Sequence, residues 1–187
     1  MQVREIGEFG LIEMIAAIVD QGHRLASRTE TEGFSLTIGV GDDTAAWRCG
    51  PGVELATTDT MVEGVHFTRE TTPWFDVGWK LMAANASDIA SMGGTPLYSL
   101  VTLGLPPDTL VDDIKLLYEG MLELAGQHGI AIVGGDIVRS PIAFVTLALN
   151  GVHQGIPLKR SKAMPGQLLA VTGWLGSSAG GLEMALR

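Results

Sequence analysis

Five aspartates in this sequence stand where short apolar runs meet glycine or hydroxyl residues. Asp42 and Asp43 lie in Gly41-Asp42-Asp43-Thr44, and Asp59 follows Thr57-Thr58. Asp88 closes Asn85-Ala86-Ser87-Asp88, and Asp136 follows Gly134-Gly135. Adjacent carboxylates repel each other, and folding them together is costly unless a cation neutralises them. With the hydroxyls of Thr57 and Thr58 they form a set of hard oxygen donors. Such a set suits Mg²⁺ rather than zinc, and no Cys/His cluster points elsewhere. Carboxylates at strand and helix ends could hold more than one Mg²⁺ against a polyphosphate. Phosphoryl transfer asks a protein mostly for positioning and charge neutralisation. The competing reading of Asp42-Asp43 is an exposed turn, since Asp and Gly are common turn residues.

Other residues carry two readings each. His66 in Glu63-Gly64-Val65-His66-Phe67 could contact a phosphate or pack beside Phe67. Tyr118 could contact a nucleotide or be a half-buried amphipathic residue. Arg160, beside Lys159 and Lys162, could clamp a phosphate or belong to a solvated basic turn. The loops usual for nucleotides are missing: there is no G-x-x-x-x-G-K-[ST], no G-x-G-x-x-G opening a helix and no kinase H-R-D or D-F-G. No G-x-S-x-G elbow appears either. Phosphates would have to be held through metal ions and glycine-rich backbone.

The elements that must position these groups can be read from periodicity. Glu8 to Gln21 has helical apolar spacing and is closed by Gly22; His23 to Gly33 reads as a loop. Short strands flank the paired aspartates, and Val53 to Thr58 alternates as a strand that delivers Asp59 at its end. Thr72-Pro73 predicts a helix start, with Thr72 as N-cap, and the helix runs from about Trp74 to Met92. Asn85 and Asp88 share one side of it, with Asp88 near the C-terminus, where the helix dipole opposes a carboxylate. A strand from Leu97 to Leu105, a helix from about Leu110 to Gln127 capped by Asp108 or Thr109, and strands at Gly129–Val133 and Ile142–Leu149 follow. The order predicts an α+β fold, a mixed or antiparallel sheet with helices packed on one face. After Gly151 a basic, turn-rich connection leads to a strand at Leu168–Thr172 and a nascent helix. The chain therefore divides into residues 1–150 and a segment, 151–187, that opens a second α/β domain.

Composition narrows the class. The 187 residues are 46% hydrophobic, enough for a real core. The net charge of −9 argues against a nucleic acid or an anionic membrane as partner, but not against a phosphorylated small molecule reached through divalent cations. No apolar stretch is long enough to span a membrane, and the N-terminus has no signal-peptide pattern. The single Cys49 excludes an intrachain disulfide and fits a reducing cytoplasm.

Taken in order, several segments resemble thiamine-monophosphate kinases, members of the superfamily that includes aminoimidazole ribonucleotide (AIR) synthetase. They are Gly7-Glu8-Phe9-Gly10-Leu11-Ile12, Gly41-Asp42-Asp43-Thr44-Ala45, Thr57-Thr58-Asp59 through Gly64-Val65-His66-Phe67, Asn85-Ala86-Ser87-Asp88, Gly134-Gly135-Asp136 and Val171-Thr172-Gly173. The resemblance implies the AIR synthetase N-terminal fold and ATP-dependent phosphorylation of thiamine monophosphate to the diphosphate by direct, Mg²⁺-assisted in-line transfer. It implies metal binding by Asp43, Thr57, Thr58, Asp59, Asp88 and Asp136, and ATP contacts from Tyr118, Gly135 and Arg160. It further implies a thiamine contact from His66, no protein nucleophile, and a cytoplasmic homodimer paired through its N-terminal sheets. Two departures stand out. Where the family reads Gly-Asp-Ser-Ala-Ala-Gly-Leu, this chain has Gly176-Ser177-Ser178-Ala179-Gly180-Gly181-Leu182. The family's second domain also supplies another metal-binding aspartate and much of the thiamine pocket. The alternatives are a hydrogenase-maturation or selenophosphate-forming relative, and a non-catalytic Mg-nucleotide module.

Overall fold

Apolar alternation builds four strands into one sheet, seen in a computed structural model that describes residues 1–25, 33–40 and 45–187. Helix α1 (Val3–Leu25) comes first, then a small hairpin of β1 (Ser35–Ile38) and β2 (Ala46–Arg48). The main sheet takes β3 (Val53–Val62), β4 (Thr95–Leu105), β5 (Ala131–Arg139) and β6 (Phe144–His153), in the spatial order β3-β6-β4-β5. Helix α2 (Trp74–Ser91) joins β3 to β4, and α3 (Val111–His128) is the crossover that lets β4 and β5 run parallel. The other pairs are antiparallel. A turn of 3₁₀ helix (Arg160–Lys162) and α4 (Ser177–Ala185) end the chain.

One face of the sheet carries the helices. Leu55 and Met61 on β3, Leu147 and Leu149 on β6, Val101 and Leu103 on β4 and Ile132 on β5 are buried beneath them. The stripe Trp74, Val77, Leu81, Met82 and Ile89 of α2 meets Ile114, Leu117 and Met121 of α3 in the same core. The two helices touch backbone to backbone. A Cβ at Gly78 would overlap the carbonyl oxygen of Leu117, and one at Gly120 that of Phe75. Among the described residues the other face is covered only at one end, where Trp47 of the hairpin packs on Tyr98 at 5.1 Å between rings, beside Ala131, Val133 and Val152. This is the expected α+β layering.

Several boundaries differ from the sequence reading, each for a physical reason. Helix α1 begins at Val3 and is interrupted at Gly7 (φ 68°, ψ −179°), a left-handed φ that glycine accepts at no steric cost. Pro73, not Thr72, is the N-cap of α2, and no side chain caps it. Thr72 belongs instead to the turn before it, its N–H donating to the Thr68 carbonyl at 3.0 Å. Leu110 occupies the N-cap of α3, while Thr109 is fully buried and donates no cap. Strand β5 does not stop at Val133 but continues through Gly134-Gly135-Asp136, because β4 is long enough to pair with it as far as Arg139. Leu168–Thr172 is not a strand: it has no neighbour to share a ladder with, and both leucines are almost fully exposed. Among the described residues, no helix is long and apolar enough to cross a membrane.

Candidate functional site

Thr57 and Asp59 are two residues apart on β3 and therefore project from the same face. Their cross-strand partners, Leu149 and Leu147, are buried under the helices, so both polar side chains stand on the helix side at the edge of the sheet. Helix α2 crosses that edge with its last turn. There the Thr57 hydroxyl donates to the Asp88 carboxylate, Oγ1 to Oδ2 at 2.7 Å. The last turn of α2 has no basic residue to offset the dipole. One turn earlier Asn85 is fully buried, its amide donating to the Leu81 carbonyl at 3.0 Å while its Oδ1 has no partner.

In this patch the structure thus brings Thr57 against Asp88 from 31 residues away, and Asp59 stands two residues along β3 on the same face as Thr57. Thr58 points to the opposite face and is exposed. Asp43 lies outside the described residues. Asp136 is not gathered with the patch. The register Asp59–Leu147–Val101–Gly135 runs across all four strands, so Gly135 is three strand spacings from Asp59, about 14 Å. Asp136, next along β5, projects to the open face in a row with Thr102, Thr146 and Thr60. Its Oδ1 accepts from the Ile137 N–H at 2.9 Å, and the Thr60 and Thr146 hydroxyls are 2.8 Å apart. Among the described residues no three carboxylate, imidazole or thiol groups cluster at metal-ligating range. The patch reaches three hard donors only with the Thr57 hydroxyl, a set whose chemistry fits Mg²⁺.

Gly135 and Tyr118 meet elsewhere, in a cavity of about 770 Å³ along β5, the edge strand opposite β3. That size is ordinary for a small-molecule site. Its walls are mainly apolar, with Ile12, Val101 and Ile132 among them, and its polar groups come from Glu8, Trp47, Thr102, Tyr118 and Asp136. Gly135 is required by close approach, since a Cβ there would overlap the Val101 carbonyl oxygen. Tyr118 is 4% exposed. Burial pushes its hydroxyl pKa up, and among the described residues that hydroxyl has no hydrogen-bond partner.

His66 sits in the exposed loop after β3. Its Nδ1 accepts from the Val62 N–H at 3.1 Å, which leaves Nε2 as the donor. The loop is braced by Arg69, bidentate to Glu63 at 2.6 and 3.0 Å and lying 5.7 Å from the Trp74 ring centre. The Glu63 partner holds the Arg69 guanidinium pKa above its usual value. Arg160 is exposed, and among the described residues it makes no hydrogen bond or ion pair with any of these groups. Two residues before it, however, the Leu158 N–H donates to the Met92 carbonyl at 3.0 Å, tying this segment to the helix end that carries Asp88.

The sequence reading missed Glu8, Phe9 and Trp47 as cavity residues. Gly7 and an apolar ring at Phe9, on what would be the polar side of an unbroken helix, were the available signals.

Comparisons with known proteins bear on the family and the fold. Residues 41–153 match the profile of the AIR synthase related protein N-terminal domain. The chain belongs to that family. A thiamine-monophosphate kinase from Bacillus subtilis is 39% identical over 167 residues, spanning 88% of this chain and 51% of the relative. The crystal structure of a thiamine-monophosphate kinase from Stenotrophomonas maltophilia K279a aligns at 37% identity with a TM-score of 0.63, covering 82% of this chain and 45% of that one. A structure of AaThiL complexed with AMPPCP and TMP aligns with a TM-score of 0.65 at 29% identity, over 100% of this chain and 54% of that one. The chain thus spans about half the length of the curated AIR synthase related relatives it matches.

Proposed function

We propose that this chain is the ATP- and Mg²⁺-binding half of a kinase that phosphorylates thiamine monophosphate to thiamine diphosphate by direct in-line transfer. The observation that carries the reading is the Thr57–Asp88 pair, with Asp59 beside it on the same face. It is supported by relatives named thiamine-monophosphate kinase and by one of known structure described with AMPPCP and TMP. Thr57, Asp59 and Asp88 would hold Mg²⁺. Thr58 and Asp136, which the resemblance also implies as ligands, stand on the other face of the sheet and would need a separate ion. Asp43, implied likewise, lies outside the described residues. When bound, Mg²⁺ supplies charge neutralisation at the triphosphate.

The chain's own groups do the remaining work. The Thr57 hydroxyl orients the Asp88 carboxylate. Gly135 and Tyr118 border the nucleotide, with the Tyr118 hydroxyl free to donate to it. The Nε2–H of His66 donates to the phosphate of thiamine monophosphate and holds it for attack. An oxygen of that phosphate is the nucleophile, so no side chain need form a covalent intermediate. Arg160 reaches the triphosphate from the segment anchored at Met92. Two copies pair through the open face of the sheet, where Leu100 and Val138 are 37% and 40% exposed. A cytoplasmic location agrees with the free thiol of Cys49.

The test joins this chain to the second half that its relatives carry and follows thiamine diphosphate formation from thiamine monophosphate, ATP and Mg²⁺ by chromatography. Product that disappears when Mg²⁺ is chelated supports the proposal. Mg-ATP binding without any product refutes the kinase and leaves a nucleotide-binding module.

A further inference from the structure

The break at Gly7 has an evident geometric result and no packing cause. A Cβ placed there would meet nothing within 4 Å, so the glycine answers to its backbone conformation alone. That conformation ends one helical turn and starts another at Glu8, and Glu8 and Phe9 both border the cavity that holds Tyr118 and Gly135. Strained or glycine-only backbone beside a cavity is a common mark of a functional element. Phe9 is also 81% exposed, an unusual cost for an aromatic ring on an otherwise amphipathic helix.

The polar chemistry of the cavity is sparse and asymmetric. Tyr118, itself buried, offers one hydroxyl that has no partner among the described residues, and Thr102 and Trp47 offer further donors. The acceptor-only groups are the carboxylates of Glu8 and Asp136. The Asp136 carboxylate already accepts from the backbone N–H of Ile137, whereas Glu8 has no hydrogen-bond or ion-pair partner among the described residues. A flat, largely apolar ligand with one outward amine fits that set: its ring lies between apolar walls and its amine meets Glu8.

We propose that the Gly7-Glu8-Phe9 corner reads the base of the nucleotide. The Glu8 carboxylate accepts from the exocyclic amine of adenine, and the Phe9 ring covers the face of the base. This rests on the nucleotide reading of the cavity and names its specificity determinant.

The experiment compares ATP with purine riboside triphosphate, which lacks only the exocyclic amine. Each is titrated calorimetrically into the 187-residue chain with Mg²⁺, and into its Glu8→Ala variant. One charge-assisted hydrogen bond predicts at least about tenfold weaker binding of the amine-free nucleotide to the unmodified chain. In Glu8→Ala the two nucleotides bind alike, because only ATP loses affinity. Glu8 is exposed on a helix surface, so alanine leaves the fold intact, which a circular dichroism melt verifies. A tenfold preference for ATP that survives in Glu8→Ala overturns the role of Glu8 and leaves the nucleotide site standing. Equal affinities in the unmodified chain overturn it as well. Failure of both nucleotides to bind overturns the nucleotide reading and this inference together.

Discussion

Asp88→Asn separates what the carboxylate costs the fold from what it does. Two terms act on the metal-free chain and oppose each other. Asp88 lies at the negative end of α2 with no basic neighbour in that turn, so removing its charge returns about 0.3–1 kcal/mol. The Asn oxygen can still accept from Thr57 Oγ1, now 2.7 Å from Oδ2, but without charge assistance. That loss is about 0.5–1.5 kcal/mol, toward the lower end because Asp88 is exposed. The terms nearly cancel. Metal-free stability changes by less than about 1 kcal/mol, a Tm shift below roughly 4 °C for a chain of this size. Mg²⁺ behaves otherwise. At an ion concentration about 100-fold above Kd, binding adds about 2.7 kcal/mol to the unmodified chain, or roughly 5–10 °C in Tm. The variant loses that increment because its strongest hard donor has become a neutral amide. Differential scanning calorimetry of both proteins, with Mg²⁺ and with chelator, measures all four states. An equal Mg²⁺-induced shift in the variant would remove Asp88 from the metal site. A drop of several kcal/mol in chelator would make its bond to Thr57 a structural support instead.

Three further perturbations have expected signs. Tyr118→Phe deletes a hydroxyl that has no partner among the described residues, so the melt is unchanged or slightly higher while nucleotide affinity falls roughly 3- to 10-fold by calorimetry; undiminished affinity would place the base elsewhere. Gly120→Ala forces a methyl into the Phe75 carbonyl, and the overlap outweighs the helix-propensity gain of about 1 kcal/mol, so urea unfolding shows a net loss of roughly 1–3 kcal/mol. Gly181→Ala in α4, with open space around it, serves as the stabilising control. Burial raises the Asp113 carboxyl pKa against the pull of Arg69 and of the hydrogen bond from Trp74. A folded state that holds this proton more tightly gains stability at low pH and loses it as pH rises through the folded value. Relative to Asp113→Asn, the unmodified chain should therefore gain stability as pH falls across roughly pH 7 to 3, by urea midpoints; parallel curves would refute this.

The residue types of the candidate site were legible before any tertiary contact was known. Carboxylates beside glycine and hydroxyl residues suggested oxygen-ligated Mg²⁺, although Asp59 and Asp136 lie inside β3 and β5 rather than at their ends. The i, i+3 spacing put Asp88 on the side of α2 that carries Asn85. The alternation of β3 put Thr57 and Asp59 on one face. Less of the boundary detail was legible. The strand through Gly134-Gly135-Asp136 was cut short because glycines read as turns, yet a long parallel neighbour overrides that tendency. The strand at Leu168–Thr172 was read from apolar content alone, and content without a pairing partner does not make a strand.

What the sequence by itself determined was local: residue chemistry, the period of each element, and the faces on which Thr57, Asp59 and Asp88 lie. Those follow from backbone geometry and need no partner. Strand order was decided only in the tertiary structure, because pairing depends on which edges meet. It joined Thr57 to Asp88 across 31 residues and kept Asp136 on the far strand and the other face. It also wrapped the kinked start of α1 beside Tyr118, which no spacing along the chain could reveal.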